Sequence, residues 1–208
     1  NKSCIVLNKK EDFFMTKVAV VFADGCEEVE GLSVVDVLRR LDIDCDMVGL
    51  DKKEINGDHR ILLTCDKVVD DSLLEYDLVA FPGGRTGALN LRSNEKLAKL
   101  MIQRNKEGKW DAAMCAAPIA LGHYGLLEGA NYTCYPGFEK EIEKECPNGH
   151  FSTDITVVDK EHKIITSRGP ATAWAYAYTI AQTLGYDTKE LEKAMLYDYL
   201  AKNINQSL

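Results

Sequence analysis

The sequence has little of several features that would each point to a specialised class of protein. Its 208 residues contain no block of Lys or Arg, and the formal net charge is −8. Binding to nucleic acid or to an anionic membrane surface depends on dense positive charge, so neither is expected. No apolar run approaches the ~20 residues that span a bilayer. Residues 1–14 lack the apolar segment of a secretory signal, so we expect none.

Cysteine is present without any sign of pairing. The cysteines are seven, an odd number, and no two form a Cys-x-x-Cys pair; they stand at positions 4, 26, 45, 65, 115, 134 and 146. We therefore expect free thiols in a reducing compartment, the cytoplasm. No group of His and Cys has the spacing of a zinc site, so no metal is expected.

The order of elements is that of an α/β protein. Short apolar runs alternate with helical patterns, which predicts βαβ units around a mostly parallel sheet. The predicted strands are residues 18–22, 46–50, 61–65, 78–81, 110–114, 131–135, 155–158 and 163–167. The predicted helices are residues 29–41, 97 to about 108, 117–121, 170–184 and a last one from about 188.

The chain shows no repeat, linker or low-complexity tract that would divide it. We expect one domain over residues 17–208. Residues 1–16 are expected to be an extension ahead of it, either foreign to the native protein or disordered, with Met15 as a candidate natural start.

Cys115 stands where a buried strand passes directly into a helix. In a nucleophile elbow the reactive residue occupies a strained turn, which requires small residues two positions before and after it, and here they are Ala113 and Ala117. The start of the following helix would direct N–H groups at the sulfur and lower the thiol pKa. The alternative is a buried cysteine that acts only as a small hydrophobic residue.

Two further segments are candidates for the same site. The loop Pro82-Gly83-Gly84 follows another predicted strand, and ligands collect beyond the carboxyl ends of parallel strands. Its N–H groups could form an oxyanion hole with the N–H of Ala116. A phosphate-binding loop is the alternative, but the loop lacks the Gly-Lys-Ser/Thr ending of such loops.

An acidic run opens the first helix. Glu27 and Glu28 are expected to be ordinary partners of the helix dipole. Glu30 lies further into the helix and is expected to face the end of the sheet, where it would share one proton with Cys115. His123 lies eight residues after Cys115, too far along a helix to act as its base. His59, His150 and His162 fall in predicted loops and are expected at the surface.

Taken together, these motifs resemble the ThiJ/PfpI superfamily, and most closely its branch that contains the parkinsonism-associated deglycase. The matching segments run in family order between residues 17 and 184: DGCEEVE (24–30), VDVLRR (35–40), PGG (82–84), AAMCAAP (112–118) and TSRGP (166–170). The resemblance implies a flavodoxin-like three-layer sandwich with helices on both faces of the sheet. It also implies a homodimer, with Asp36 and Arg39 or Arg40 in the interface region.

The same resemblance implies roles for individual residues. Cys115 would be the oxidisable nucleophile, Glu30 its protonated partner, and Gly84 and Ala116 the backbone oxyanion donors, with Gly83 beside them. The expected activity is that of a cofactor-independent glyoxalase or deglycase acting on a small carbonyl substrate. The alternative is a sensor of oxidants or a stress chaperone that works through oxidation of Cys115.

Two departures from the family pattern affect these expectations. Ala116 stands where the protease branch has a histidine, which argues against peptidase activity, and an amidase would require a histidine near Cys115 in space. Tyr135 stands where some glyoxalase-active members have a histidine, so it is only an auxiliary candidate. The thiazole monophosphate biosynthesis label that many members carry has little chemical support in these residues.

Overall fold

The computed structural model describes residues 15–206. The predicted extension, residues 1–16, lies outside the described residues except for its last two. The strands are β1 (Lys17–Phe22), β2 (Asp44–Gly49), β3 (Glu54–Asn56), β4 (Leu62–Thr64), β5 (Lys67–Val68), β6 (Leu78–Phe81), β7 (Trp110–Met114), β8 (Asn131–Tyr132), β9 (His150–Phe151), β10 (Thr156–Asp159) and β11 (Ile164–Ser167). The helices are α1 (Glu28–Arg40), α2 (Arg85–Ser93), α3 (Glu95–Lys106), α4 (Pro118–His123), α5 (Glu139–Glu145), α6 (Ala173–Thr183), α7 (Lys189–Ala194) and α8 (Tyr197–Asn203).

Seven strands form one sheet in the order β10-β11-β7-β6-β1-β2-β5. Every neighbouring pair in it is parallel except β10 with β11. The pairs β3–β4 and β8–β9 lie outside this sheet. The predicted strand at 61–65 is present as β4, but it pairs only with β3 in a local antiparallel hairpin and does not join the main sheet.

The two faces of the sheet are covered by different helices. Along β1, Val18, Val20 and Phe22 belong to an apolar cluster with α1 and α6. The alternate residues Ala19 and Val21 pack with apolar residues from α2, α3, α4 and α5. Successive side chains of a strand point to opposite faces, and a strand that is apolar on both faces is typical of a buried parallel sheet. The fold is thus the predicted flavodoxin-like α/β sandwich of three layers.

Three helical segments differ from the predictions. Helices α2 and α5 are not among the predicted helices, and the single helix expected after residue 188 is divided into α7 and α8. The division occurs at Leu196, which has the left-handed φ of 60°. In the described part of the chain, no helix combines the length and the apolar character that crossing a membrane requires.

Candidate active site

Cys115 occupies the turn between β7 and α4 with a backbone that side chains rarely adopt. Its φ is 88°, in the region that favours glycine. The neighbours at two positions either side, Ala113 and Ala117, are both fully buried. The Ala117 N–H donates to the carbonyl of Met114 at 2.9 Å, which closes the turn. Strain of this kind at a cysteine is typical of a functional position.

Glu30 reaches this turn from the first helix. Its side chain is fully buried, and its Oε2 atom accepts a hydrogen bond of 2.6 Å from the N–H of Gly83. A Cβ at Gly83 would lie 2.7 Å from both the Glu30 Oε2 atom and the Cys115 Cβ atom. The carboxyl group and the cysteine can therefore approach each other only because residue 83 has no side chain.

The two groups perturb each other's ionisation. Burial raises the pKa of Glu30 to about 7, against opposing hydrogen bonds from Cys115 and Gly83. Burial, followed by the charge of Glu30, raises the pKa of the Cys115 thiol well above its usual range. Because the groups are coupled, the pair holds one shared proton over a wide range above pH 7.

Two backbone N–H groups act in the opposite direction on the sulfur. Hydrogen bonds from Ala116 and Gly84 favour the thiolate and lower the thiol pKa. Their contribution is smaller than those of burial and Glu30, so the sequence-based prediction of a lowered thiol pKa is wrong. The helix that follows is also short, with six residues.

These residues border one cavity of about 290 Å³. Arg85, Tyr135 and Phe138 contribute the more exposed part of its wall, and the Tyr135 and Phe138 rings meet edge to face at 6.2 Å. The Tyr135 N–H donates to the Cys115 carbonyl at 2.5 Å, so the auxiliary candidate lies beside the cysteine. The full lining is Glu27, Glu30, Asp58, His59, Gly84, Arg85, Cys115, Ala116, Tyr135, Phe138 and Pro170.

His59 is the functional candidate that the sequence did not indicate. It was expected at the surface, but it lines the cavity together with Cys115. Its loop is tied to the start of the first helix, since the Asp58 N–H donates to the Cys26 carbonyl at 2.8 Å. The sequence feature that agrees with this place is the nearby Gly57. A Cβ at residue 57 would lie 2.1 Å from the Glu28 carboxylate, so only glycine fits there.

Glu28 holds this loop in place. Its Oε1 atom accepts a 2.7 Å hydrogen bond from the His59 backbone N–H, and its Oε2 atom lies 3.0 Å from the His59 Nδ1 atom. The residue is only 1% exposed. The expectation that Glu28 is an ordinary partner of the helix dipole is therefore wrong, because its carboxylate serves as an internal acceptor.

Glu27, Glu28 and His59 also bring their potential ligand atoms within 4.8 Å of one another. The sequence does not predict this group, since 31 residues separate Glu28 from His59. Both carboxylate oxygens of Glu28 already accept hydrogen bonds from the His59 loop. The three side chains are therefore explained by internal bonding, and we assign no cation to them.

The other histidines and cysteines that the structure describes do not line this cavity. His123 pairs with Glu145 at 3.0 Å and does not border the Cys115 cavity. His162 pairs with Asp159 at 3.1 Å. Cys26 and Cys134 are fully buried outside the cavity, and burial raises the pKa of each thiol to about 12.

The three residues of the predicted dimer region have partners within the chain. Arg40 bonds Asp36 at 2.7 Å across one turn of the first helix. Arg39 bonds Asp66 at 2.8 Å and the Cys45 carbonyl at 3.0 Å. The side chains in both ion pairs are about half exposed, so they remain accessible to a second copy.

Comparisons of the sequence with family models and with known proteins all point to the same family. The DJ-1/PfpI family model matches residues 16–183. The Parkinson disease protein 7 homolog of Danio rerio is 34% identical over 81% of this chain and 89% of its own length. Protein DJ-1 homolog B of Arabidopsis thaliana is 32% identical over 85% of this chain, which spans only 40% of that longer protein. The glutathione-independent glyoxalase DJ-1 of Schizosaccharomyces pombe is 26% identical over 84% of the chain and 94% of its own length.

Solved structures agree with the fold described above. Drosophila melanogaster DJ-1beta superposes with a TM-score of 0.79 and 29% identity, covering 87% of this chain and 98% of that one. Oxidized Toxoplasma gondii DJ-1 superposes with a TM-score of 0.77 and 29% identity, covering 89% and 98%. The chain belongs to the DJ-1/PfpI family.

Proposed function

We propose that the protein is a cysteine-dependent, cofactor-independent enzyme of the glyoxalase or deglycase type that acts on reactive dicarbonyls. The observation that carries the proposal is the convergence of the Cys115 thiol and the Glu30 carboxyl on one cavity beside the N–H groups of Gly84 and Ala116. A relative whose name is that of a glutathione-independent glyoxalase supports the reaction class.

Each group has a chemical role in this reaction. The Cys115 thiolate adds to the aldehyde carbon of methylglyoxal, and the proton shared with Glu30 passes to the aldehyde oxygen. Glu30 then moves the proton of that carbon to the neighbouring carbon, while the hydroxyl proton passes to the ketone oxygen, which converts the hemithioacetal into a lactate thioester. Water hydrolyses the thioester and restores the thiol. The N–H groups of Gly84 and Ala116 stabilise the negative charge that develops beside the sulfur.

The test is lactate formation from methylglyoxal by the purified protein. Cys115→Ala should abolish it, since no other described cysteine borders the cavity. Cys146→Ala is the matched control, because this thiol is buried on the opposite face of the sheet and its loss should leave the rate unchanged. Undiminished lactate formation by Cys115→Ala would remove the basis of the proposal.

A sensor of oxidants is the second candidate function. The N–H groups that bond the Cys115 sulfur could hold sulfinate oxygens, and an oxidised structure exists for the Toxoplasma gondii relative. The raised thiol pKa limits the thiolate available for oxidation, as it does for addition to an aldehyde. Peroxide treatment should add two oxygen atoms at Cys115 if this function is correct, and peptide mass spectrometry would detect them. Amidase activity has weaker support, because Ala116, and not a histidine, follows the nucleophile.

A homodimer and a cytoplasmic location are also part of this proposal. The exposed Asp36, Arg39 and Arg40 on the first helix are the interface that we propose. Arg40→Glu should convert the dimer to a monomer in light scattering, whereas Lys202→Glu on α8 should leave it intact. A monomeric unmodified protein would contradict the dimer.

A further inference from the structure

His59 lies at the exposed side of the Cys115 cavity, whereas the Glu30 carboxyl group lies at its buried side. The His59 side chain is 61% exposed, whereas Glu30 is fully buried. Both line the same cavity. Water that enters from solvent therefore reaches the His59 side of the cavity without displacing any part of the core, and it does not reach Glu30 in this way.

The orientation of the imidazole is fixed by its neighbours. Its Nδ1 atom lies 3.0 Å from the Glu28 Oε2 atom, and its own backbone N–H donates to the Glu28 Oε1 atom at 2.7 Å. A carboxylate at Nδ1 selects the tautomer with the proton on that nitrogen, which leaves the lone pair on Nε2. The hydrogen bond that His59 donates to Glu28 and the charge of Glu27 also raise the His59 pKa.

The proposed reaction needs a base at this position. Once the lactate thioester has formed on Cys115, a water molecule must lose a proton as it attacks the thioester carbon. Glu30 is held by the Gly83 N–H on the buried side, where it takes back the proton that it shares with the sulfur in the resting protein. A second group on the solvent side can take the proton of the water while Glu30 stays with the sulfur.

We propose that His59 is the general base of this hydrolysis and that Glu28 is its positioning residue; the proposal rests on the function proposed above. The His59 Nε2 atom takes a proton from water as the water oxygen bonds the thioester carbon. The carbon–sulfur bond then breaks, the carboxyl proton of the lactic acid product passes to Glu30, and lactate leaves behind a thiolate that again shares one proton with Glu30. The proton on His59 returns to solvent, so the cycle consumes one water and one methylglyoxal for each lactate.

The experiment compares two histidines with the same local bonding. His59→Gln keeps a polar side chain of similar reach but removes the base. His123→Gln is the matched control, because His123 Nδ1 also lies 3.0 Å from a glutamate oxygen yet the residue is outside the cavity. The readouts are kcat and KM for lactate formation, intact mass during turnover, and release of bound product by hydroxylamine, which cleaves thioesters.

We expect His59→Gln to lower kcat by about 100-fold, the lower range for general base catalysis. KM should fall with kcat, because slower hydrolysis leaves kcat/KM, which reports thioester formation, unchanged. Protein carrying the mass of one methylglyoxal should accumulate at Cys115, and hydroxylamine should release it as the hydroxamate of lactate. His123→Gln should behave as the unmodified protein. An unchanged kcat for His59→Gln, or a lowered kcat without the thioester, would overturn the assignment. Absence of lactate from the unmodified protein would instead overturn the proposed function.

Glu28→Gln tests whether Glu28 positions His59. The readout is the His59 pKa, which a general packing defect would not change. It should lower the His59 pKa measured by NMR, because the glutamine carries no negative charge, and lower kcat and KM together so that kcat/KM is kept. An unchanged His59 pKa in a folded Glu28→Gln protein would contradict the role of Glu28.

Discussion

Replacement of Glu30 by glutamine should change how stability depends on pH, because Glu30 is a buried acid with an altered proton affinity. Burial raises its pKa from 4.5 to about 7. As the pH rises from 4.5 to 7, the unfolded chain releases this proton while the folded protein retains it. The folded state therefore loses stability with rising pH over this window, and the loss levels off above pH 7.

The size of the effect follows from the two pKa values. Each tenfold change in proton affinity is worth about 1.4 kcal/mol, so a rise from 4.5 to about 7 corresponds to about 3 kcal/mol. Glutamine keeps the acceptor for the Gly83 N–H but does not titrate. The stability of Glu30→Gln relative to the unmodified protein should therefore increase by about 3 kcal/mol between pH 4.5 and pH 8.

The assay is urea unfolding of both proteins at intervals over this range. Asp111, whose pKa burial also raises to about 7, titrates in both proteins and cancels in the difference. Cys115→Ala is a useful control, since burial is the largest cause of the Glu30 shift and remains in that variant. A constant stability difference between the unmodified protein and Glu30→Gln would refute the reasoning, because Glu30 would then ionise as it does in the unfolded chain.

The remaining predictions concern packing and buried charge. Gly83→Ala places a Cβ 2.7 Å from both the Glu30 Oε2 atom and the Cys115 Cβ atom. This overpacking should lower the free energy of unfolding by about 1–3 kcal/mol in urea, and an unchanged midpoint would count against it. Arg104→Met leaves the fully buried Asp111 without its 3.0 Å ion-pair partner and should cost about 3–5 kcal/mol. If the free energy of unfolding fell by less than about 1 kcal/mol in thermal or urea unfolding, the prediction would be wrong, because water would then have replaced the guanidinium as the partner of Asp111.

The parts of the fold that the sequence predicts are those with a strong local pattern. Residues 78–81 and 110–114 are buried strands with a continuous or nearly continuous apolar sequence, and both were predicted at their observed bounds. The helices that were missed are short and bury few large side chains. Helix α5 buries only Ile142, and α2 buries one large side chain, Leu91.

In the candidate site, too, some residues could be predicted from the sequence and one could not. Cys115 could be predicted because the small residues that its turn requires are its own sequence neighbours. Glu30 could be predicted from its place on the first helix, and its burial agrees with that expectation. His59 could not, because its place depends on a hydrogen bond to Glu28 across 31 residues of sequence, in a loop with no apolar period.

Glu30 and His59 lie at different depths in the cavity, and each depth suits a different step of the proposed reaction. Glu30 is shielded from water, so burial keeps a proton available at neutral pH for the sulfur of Cys115. A single buried carboxyl could not also receive the proton of an incoming water without exchanging it with the sulfur. His59 is exposed and bonded to a carboxylate, so it can accept that proton and pass it to solvent. Two groups with opposite environments therefore allow proton sharing and water activation to proceed separately around one cysteine.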